Sequence, residues 1–161
     1  SDDKNRKTVV DLIETETRIY PIGRLDYDTT GLILLTNDGE LTNILSHPNN
    51  NVEKTYIAKI EGILSKENID ALKKGIIIDG RKCKPVRFKV RKKDLEKNTS
   101  MVEITIVEGR NHIVKKLFHE LKHEVIKLKR ESYAFLTLDN LKSGEYRILS
   151  IKEVKKLYSL K

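Results

Sequence analysis

The sequence predicts an α+β domain built on a largely antiparallel central sheet with flanking helices. Three observations carry that reading. Segments with period-two alternation outnumber those with helical spacing, most connections between them are short, and no internal repeat or low-complexity tract interrupts the series. At 161 residues the chain reads as a single domain over positions 1–161, long enough to bury a core of aliphatic side chains. Trp is absent and aromatics are scarce, so each Tyr is worth individual attention.

Residues 1–7 are polar, and residues 8–13 have the spacing of one or two helical turns. Residues 19–22 read as a short strand limited by Pro21, delivering Gly23-Arg24-Leu25-Asp26 into a loop. The apolar run at 32–36 is too short for a helix and suits a strand buried on both faces, closed by the turn Asn37-Asp38-Gly39. Residues 40–46 place Leu41, Ile44 and Leu45 at helical spacing, and His47-Pro48 ends that helix. Alternation over 54–60 sets Tyr56, Ala58 and Ile60 on one face against Thr55, Ile57 and Lys59 on the other. Ser65 caps a helix running to Lys74, with Ile69 and Leu72 inward and Gly75 as its stop.

Residues 76–78 and 86–91 read as strands around an Asp79-Gly80 turn. In the second, Val86, Phe88 and Val90 face a core while Arg87, Lys89 and Arg91 form a basic row. That row suits RNA contact, and equally a solvated edge guarded by charge. Residues 92–100 form a polar loop. Val102, Ile104 and Ile106 alternate in a further strand, after which Asn111 caps a helix whose buried stripe is Val114, Leu117, Phe118 and Leu121. Residues 125–130, 135–138 and 146–149 read as strands, the last preceded by a turn at 142–144. Ser150 followed by Glu153 is a capping box opening a terminal helix with Ile151, Val154 and Tyr158 on one face.

Composition narrows the chemistry. The net charge is +8, with Lys and Arg spread along the chain, which suits a polyanionic partner and also ordinary solubility. Cys83 is the only cysteine, so neither a disulfide framework nor a Cys-based zinc site is available, and a reducing cytoplasm fits. The polar N-terminus is unlike a signal peptide, and no stretch has the apolar length to span a membrane. His119 and His123 have the spacing of metal ligands without a third, so they read as surface residues and no metal is expected. There is no phosphate-cradling glycine loop.

Three segments, in order, carry a resemblance: Gly23-Arg24-Leu25-Asp26 with Tyr27-Asp28-Thr29-Thr30-Gly31, then Glu53-Lys54-Thr55-Tyr56, then Glu108-Gly109-Arg110-Asn111-His112-Ile113-Val114-Lys115-Lys116-Leu117-Phe118. Together they resemble the signature of the ribosomal-RNA pseudouridine synthases, the family typified by the small-subunit synthase and its large-subunit relatives, over residues 8–150. The resemblance implies the pseudouridine synthase fold, a central sheet with a cleft across its middle. It implies isomerisation of a specific uridine in ribosomal RNA, of the large subunit, without any cofactor. Asp26 would be catalytic, Tyr56 would stack on the extracted uracil, Lys115 would be the ionic partner of Asp26, and Leu128 would close the other face of the base. The partner would be ribosomal RNA or a pre-ribosomal particle, met by a cytoplasmic monomer. Family members carry, before the first motif, an S4-type RNA-binding module and a strand with a Lys-Pro loop. Neither is found here, so a catalytic domain with one unpartnered sheet edge is expected. The chain departs from the family at Lys115, where Arg is frequent, and at Ile113 and Ala134, where Gln and Gly are frequent; these bear on fine positioning.

An acid in a closed cleft tends to be protonated by desolvation, so Asp26 needs a cationic neighbour to stay ionised. Lys115 could fill that role or lie on the solvent face of its helix. Arg24 could hold a backbone phosphate, orient its loop or form a structural ion pair. Arg110, Asn111 and His112 fall at a helix N-terminus, a natural anion site and thus an RNA contact. Asp26 could abstract a ribose proton, bond to the sugar or add to the uracil ring. Two rivals stand beside this reading. One is a non-catalytic RNA-binding or ribosome-assembly module on a synthase scaffold. The other is a glycosidase using Asp26 and Asp28, disfavoured by their closeness in sequence and by the basic surface.

Overall fold

The computed structural model describes residues 18–161, so the helical turns expected at 8–13 lie outside the described residues. Strand β1 (Tyr20–Ile22) leads into the loop that carries Asp26, and β2 (Thr29–Gly31) leads out of it. Then β3 (Leu34–Thr36) returns antiparallel against β1, with Ile22 opposite Leu34. The apolar run at 32–36 is thus shared between two pairings. Only Leu32 and Leu34 of it are buried, so it does not form the single two-sided strand expected.

Helix α1 (Gly39–Ser46) buries Leu41, Ile44 and Leu45 and is capped by Asp38, whose carboxylate accepts from the amides of Glu40 and Leu41. The same carboxylate accepts from the Tyr158 hydroxyl of α4 (Ile151–Tyr158), which ties the terminal helix to the first. α4 opens on the expected Ser150/Glu153 capping box. Its buried residue is Leu157, whereas Ile151 is largely exposed, because the helix docks on α1 through its last turn.

Strand β4 (Lys54–Glu61) forms the middle of the main sheet. On one side it pairs antiparallel with β8 (Thr99–Ile106), which pairs with β7 (Arg87–Asp94); on the other it pairs with β9 (Val125–Tyr133), which carries the short β10 (Leu136–Thr137). β2 lies parallel to β9, so the sheet is antiparallel except at this contact.

Helices α2 (Lys66–Lys74) and α3 (Ile113–Glu120) contribute to the core beside this sheet. Leu72, Leu117 and Phe118 are fully buried against Ala58, Ile60, Val102 and Ile104; each side chain of that size removed from water contributes about 1.5–3 kcal/mol. A second cluster, with Ile22, Leu45, Tyr133 and Leu157, holds the β1–β3 pair and both terminal helices near the end of β9.

Four expectations are corrected. β5 (Ile76–Ile78) turns at Asp79-Gly80 onto β6 (Arg81–Cys83), while residues 87–94 pair with β8. β7 continues to Asp94 past a bulge and β8 begins at Thr99, so most of the polar segment at 92–100 is strand; charged side chains are tolerated because that face meets water. Val86 precedes the strand and is half exposed. Residues 146–149 form no strand, and the alternating Tyr146 and Ile148 are exposed, so these side chains cover no sheet face.

Candidate active site

A cavity of about 1120 Å³ opens between the Asp26 loop, the start of β4, the end of β9 and the approach to α3. Its position follows from β2. Three residues of β2 pair with β9, placing Thr29 opposite Leu128 and Gly31 opposite Arg130. The amide of Leu32 donates to the Arg130 carbonyl, and Arg130 Nε donates back to the Leu32 carbonyl at 2.9 Å. Gly31 has φ of +115°, and a Cβ there would stand 2.1 Å from the Arg130 carbonyl oxygen. Only glycine permits this approach. Ahead of β2, the Thr29 amide donates to the Asp26 carbonyl, closing a turn that fixes the catalytic candidate against the sheet.

Asp26 lines the cavity with its side chain 23% exposed. His112 Nδ1 lies 3.1 Å from its Oδ2, and Lys115 Nζ lies 3.9 Å from the same oxygen. Lys115 donates its hydrogen bond to Asp28 instead. That bond, ahead of the opposing desolvation, holds the Asp28 carboxyl below its ordinary range. Both cationic candidates come from α3 and the residue before it. His112, with φ of +55°, is the N-cap, so the expected cap at Asn111 is displaced by one residue. The left-handed turn at His112 leaves its side chain free to face Asp26.

Tyr56 and Leu128 also line the cavity, on neighbouring central strands. Arg24 is exposed at its rim, and Asn111 and His112 stand at another part of its wall. Arg110 lines it too, but its guanidinium is committed inside the protein: to Glu108, to the Ile78 carbonyl at 2.5 Å and to the Arg81 carbonyl at 3.3 Å. It clamps the β5–β6 hairpin to the third motif. Glu108 is desolvated, which raises its carboxyl, yet the hydrogen bonds of Arg110 and Cys83 and the charges of Arg110 and Arg81 together outweigh this and hold it below its ordinary value.

The row Arg87, Lys89 and Arg91 is turned away. Arg87 and Lys89 sit opposite Thr105 and Glu103, and Thr105 sits opposite Thr55, so this row shares the face of Thr55 and not that of Tyr56. Its charge is also offset: Arg87 pairs with Glu53, and Arg91 with both Glu103 and Glu131.

The histidine pair has ordinary partners. His119 meets Glu124, and half-buried His123 bridges the Glu61 carbonyl and Asn68, so it is a tie between β4 and α2, not a free surface residue. Among the described residues no group of His, Cys, Asp or Glu could hold a metal ion. Burial pushes the Cys83 thiol up to about 12, which leaves it inert as a nucleophile.

Among the cavity residues not singled out from sequence are Thr29, Lys54 and Arg130. The signal was present for two of them. Lys54 lies two positions before Tyr56 and Arg130 two after Leu128, and residues at i and i+2 of a strand share a face.

A carboxylate mounted on a tight loop, lining one cavity with a strand tyrosine over a mostly antiparallel sheet, is the arrangement of a pseudouridine synthase. The chain belongs to the RNA pseudouridylate synthase family, whose model matches residues 1–120. It is 51% identical over 160 residues to the ribosomal large subunit pseudouridine synthase B of Bacillus subtilis (strain 168), covering 99% of this chain and 66% of that protein. It is 38% identical over 154 residues to an uncharacterized RNA pseudouridine synthase of Aquifex aeolicus (strain VF5), covering 95% of this chain and 61% of the relative. A crystal structure of a pseudouridylate synthase superposes with a TM-score of 0.79 at 33% identity, over 93% of this chain and 65% of that one. The chain therefore spans somewhat less than two thirds of the length of these proteins.

Proposed function

We propose that this chain isomerises a uridine of ribosomal RNA, in the large subunit, to pseudouridine, with Asp26 as the catalytic carboxylate. The bond from ribose C1′ to uracil N1 breaks, a bond from C1′ to C5 forms, the C5 proton is lost and N1 gains one. Substrate and product are isomers, so the reaction needs no redox partner or energy source. Asp26 acts at the sugar or the ring, Tyr56 stacks on the extracted base and Leu128 closes its other face. Lys115 is the ionic partner of the Asp26 carboxylate, and His112 stands beside it. Arg24, Asn111 and His112 meet the RNA around the opening.

The observation that carries this reading is the shared cavity: Asp26, Tyr56 and Leu128 line one space of about 1120 Å³, with His112 Nδ1 3.1 Å and Lys115 Nζ 3.9 Å from the carboxylate. Ribosomal RNA as substrate accords with a cytoplasmic protein, and no helix among the described residues is long and apolar enough to cross a membrane. The test is Asp26→Asn against ribosomal RNA labelled with tritium at uridine C5. Tritium release should vanish while RNA affinity stays within about twofold of the parent, since one neutralised group within a large phosphate-dominated interface changes binding little. Continued turnover would overturn the assignment. Binding without release by the unaltered chain would favour the non-catalytic RNA-binding reading.

A further inference from the structure

The floor of the cavity holds positive charge with no ion-pair partner among the described residues. Arg130 is 3% exposed; its Nε is satisfied by the Leu32 carbonyl, but its buried Nη2 has no hydrogen-bond partner among the described residues. Beside it, Lys54 makes no hydrogen bond or ion pair among the described residues. The guanidinium carbon lies 5.0 Å and the ammonium 5.7 Å from the centre of the same ring, that of buried Tyr133. A third donor, the hydroxyl of buried Thr29, is likewise unpartnered among the described residues. All three residues line the cavity that contains Asp26, and Arg130 sits directly across the strand pair from Tyr56.

Two cations this close, with little water to screen them, repel each other and have lost hydration. The nearest carboxylate acting on Lys54 is Glu108, which Arg110 already holds. Burial, and then the charge of Arg130, push the Lys54 ammonium below its ordinary value. The Tyr133 ring offsets part of this through its π face, but a ring is no substitute for a counter-ion. The missing partner must be an anion rich in acceptor oxygens, small enough to enter with a nucleotide. Uracil and ribose are neutral and would leave the charges unmet.

We infer that Lys54 and Arg130, with the Thr29 hydroxyl, form a subsite for one phosphate flanking the target uridine, so that the flipped nucleotide is held by its backbone as well as by its base. The subsite rests on the proposed synthase reading, which supplies the RNA. It would convert part of the electrostatic attraction for RNA into positioning, since the phosphate enters the cavity only when the nucleotide has left its stack.

The test titrates the intact chain, at fixed ionic strength, with uridine, uridine 5′-monophosphate, uridine 3′-monophosphate and inorganic phosphate, followed by amide chemical shifts. At least one monophosphate should bind about tenfold more tightly than uridine, and inorganic phosphate should compete with it. Lys54→Met should reduce that monophosphate to the affinity of uridine while leaving uridine unchanged. Arg130→Met alters a buried side chain, so it is judged only alongside Lys54→Met, whose side chain is partly exposed. Uridine binding as well as both monophosphates, undiminished monophosphate binding by Lys54→Met, or no monophosphate binding at all would each overturn the subsite. Asp26→Asn should keep the monophosphate preference. Loss of the preference with Asp26 still essential sinks only the subsite, whereas retained preference with turnover surviving in Asp26→Asn sinks only the catalytic reading.

Discussion

Lys115 Nζ stands 3.9 Å from Asp26 Oδ2 while hydrogen-bonding to Asp28. One ammonium group therefore serves two carboxylates, and the one expected to react has the weaker hold on it. Lys can do this because its charge is a point on a flexible stem; the planar fork of Arg would commit to one geometry.

This sharing predicts a division between the two neighbours of Lys115. Lys115→Met should lower kcat by about 10²-fold, the scale of withdrawing one fixed charge from a reacting group. Asp28→Asn releases the ammonium toward Asp26 and should leave kcat within about threefold of the parent. Single-turnover pseudouridine formation distinguishes them. Equal, large losses in both variants would mean that the pair acts as a unit with Asp28 essential.

The close approach of β2 to β9 predicts a backbone-specific defect. Gly31→Ala places a methyl group 2.1 Å from the Arg130 carbonyl oxygen at a φ of +115°. It should cost about 3 kcal/mol or more, a fall in Tm of about 6–12 °C for a chain of this size. Thermal unfolding followed by circular dichroism measures it. Gly80→Ala is the control: its φ of +79° is similarly unusual but nothing stands within 4 Å, so a smaller loss is expected.

The two faces of the sheet should differ in their use of RNA. Arg24 is exposed at the cavity rim, whereas Arg91 is tied to Glu103 and Glu131 on the opposite face. Arg24→Ala should reduce the slope of log affinity against log salt by about 0.7–0.9, the loss of one phosphate contact. Arg91→Ala should leave that slope unchanged. A filter-binding salt series with ribosomal RNA decides, and the reverse ranking would make the outer basic row the RNA surface.

Acid should loosen the terminal helix. The Glu153 carboxyl is lowered from 4.5 to about 2 by its hydrogen bond with Arg147 and by the backbone of Ser150. A depressed carboxyl contributes stability that is present above its unfolded value and lost as pH falls through its folded one. Protection of α4 amides from hydrogen exchange should therefore hold above about pH 4.5 and decline from there toward about pH 2. Glu153→Gln should flatten that pH dependence in this helix.

Much of the fold was legible because it rests on local rules. The stripe of α3, the Ser150 capping box and the alternation of β4 and β8 depend on neighbours three or four residues away, or two, and the side chains themselves announce them. The failures share a cause. Residues 146–149 alternate as a strand does, but alternation does not supply a pairing partner, and Tyr146 and Ile148 are left exposed. Residues 92–100 look like a loop by polarity, yet one face of that hairpin meets water, so polarity does not exclude pairing.

The same boundary runs through the site. The resemblance carried by three short motifs singled out Asp26, Tyr56 and Lys115 as candidates and implied Leu128 outside them. Which cation faces which acid, that Arg110 is consumed as a clamp, that Arg87, Lys89 and Arg91 turn from the cavity, and that Lys54 and Arg130 converge on Tyr133 were decided only when strands distant in the chain paired. Sequence order carries periodicity and chemical identity, but whether a charge is matched depends on distance through space, and that is set by strand register.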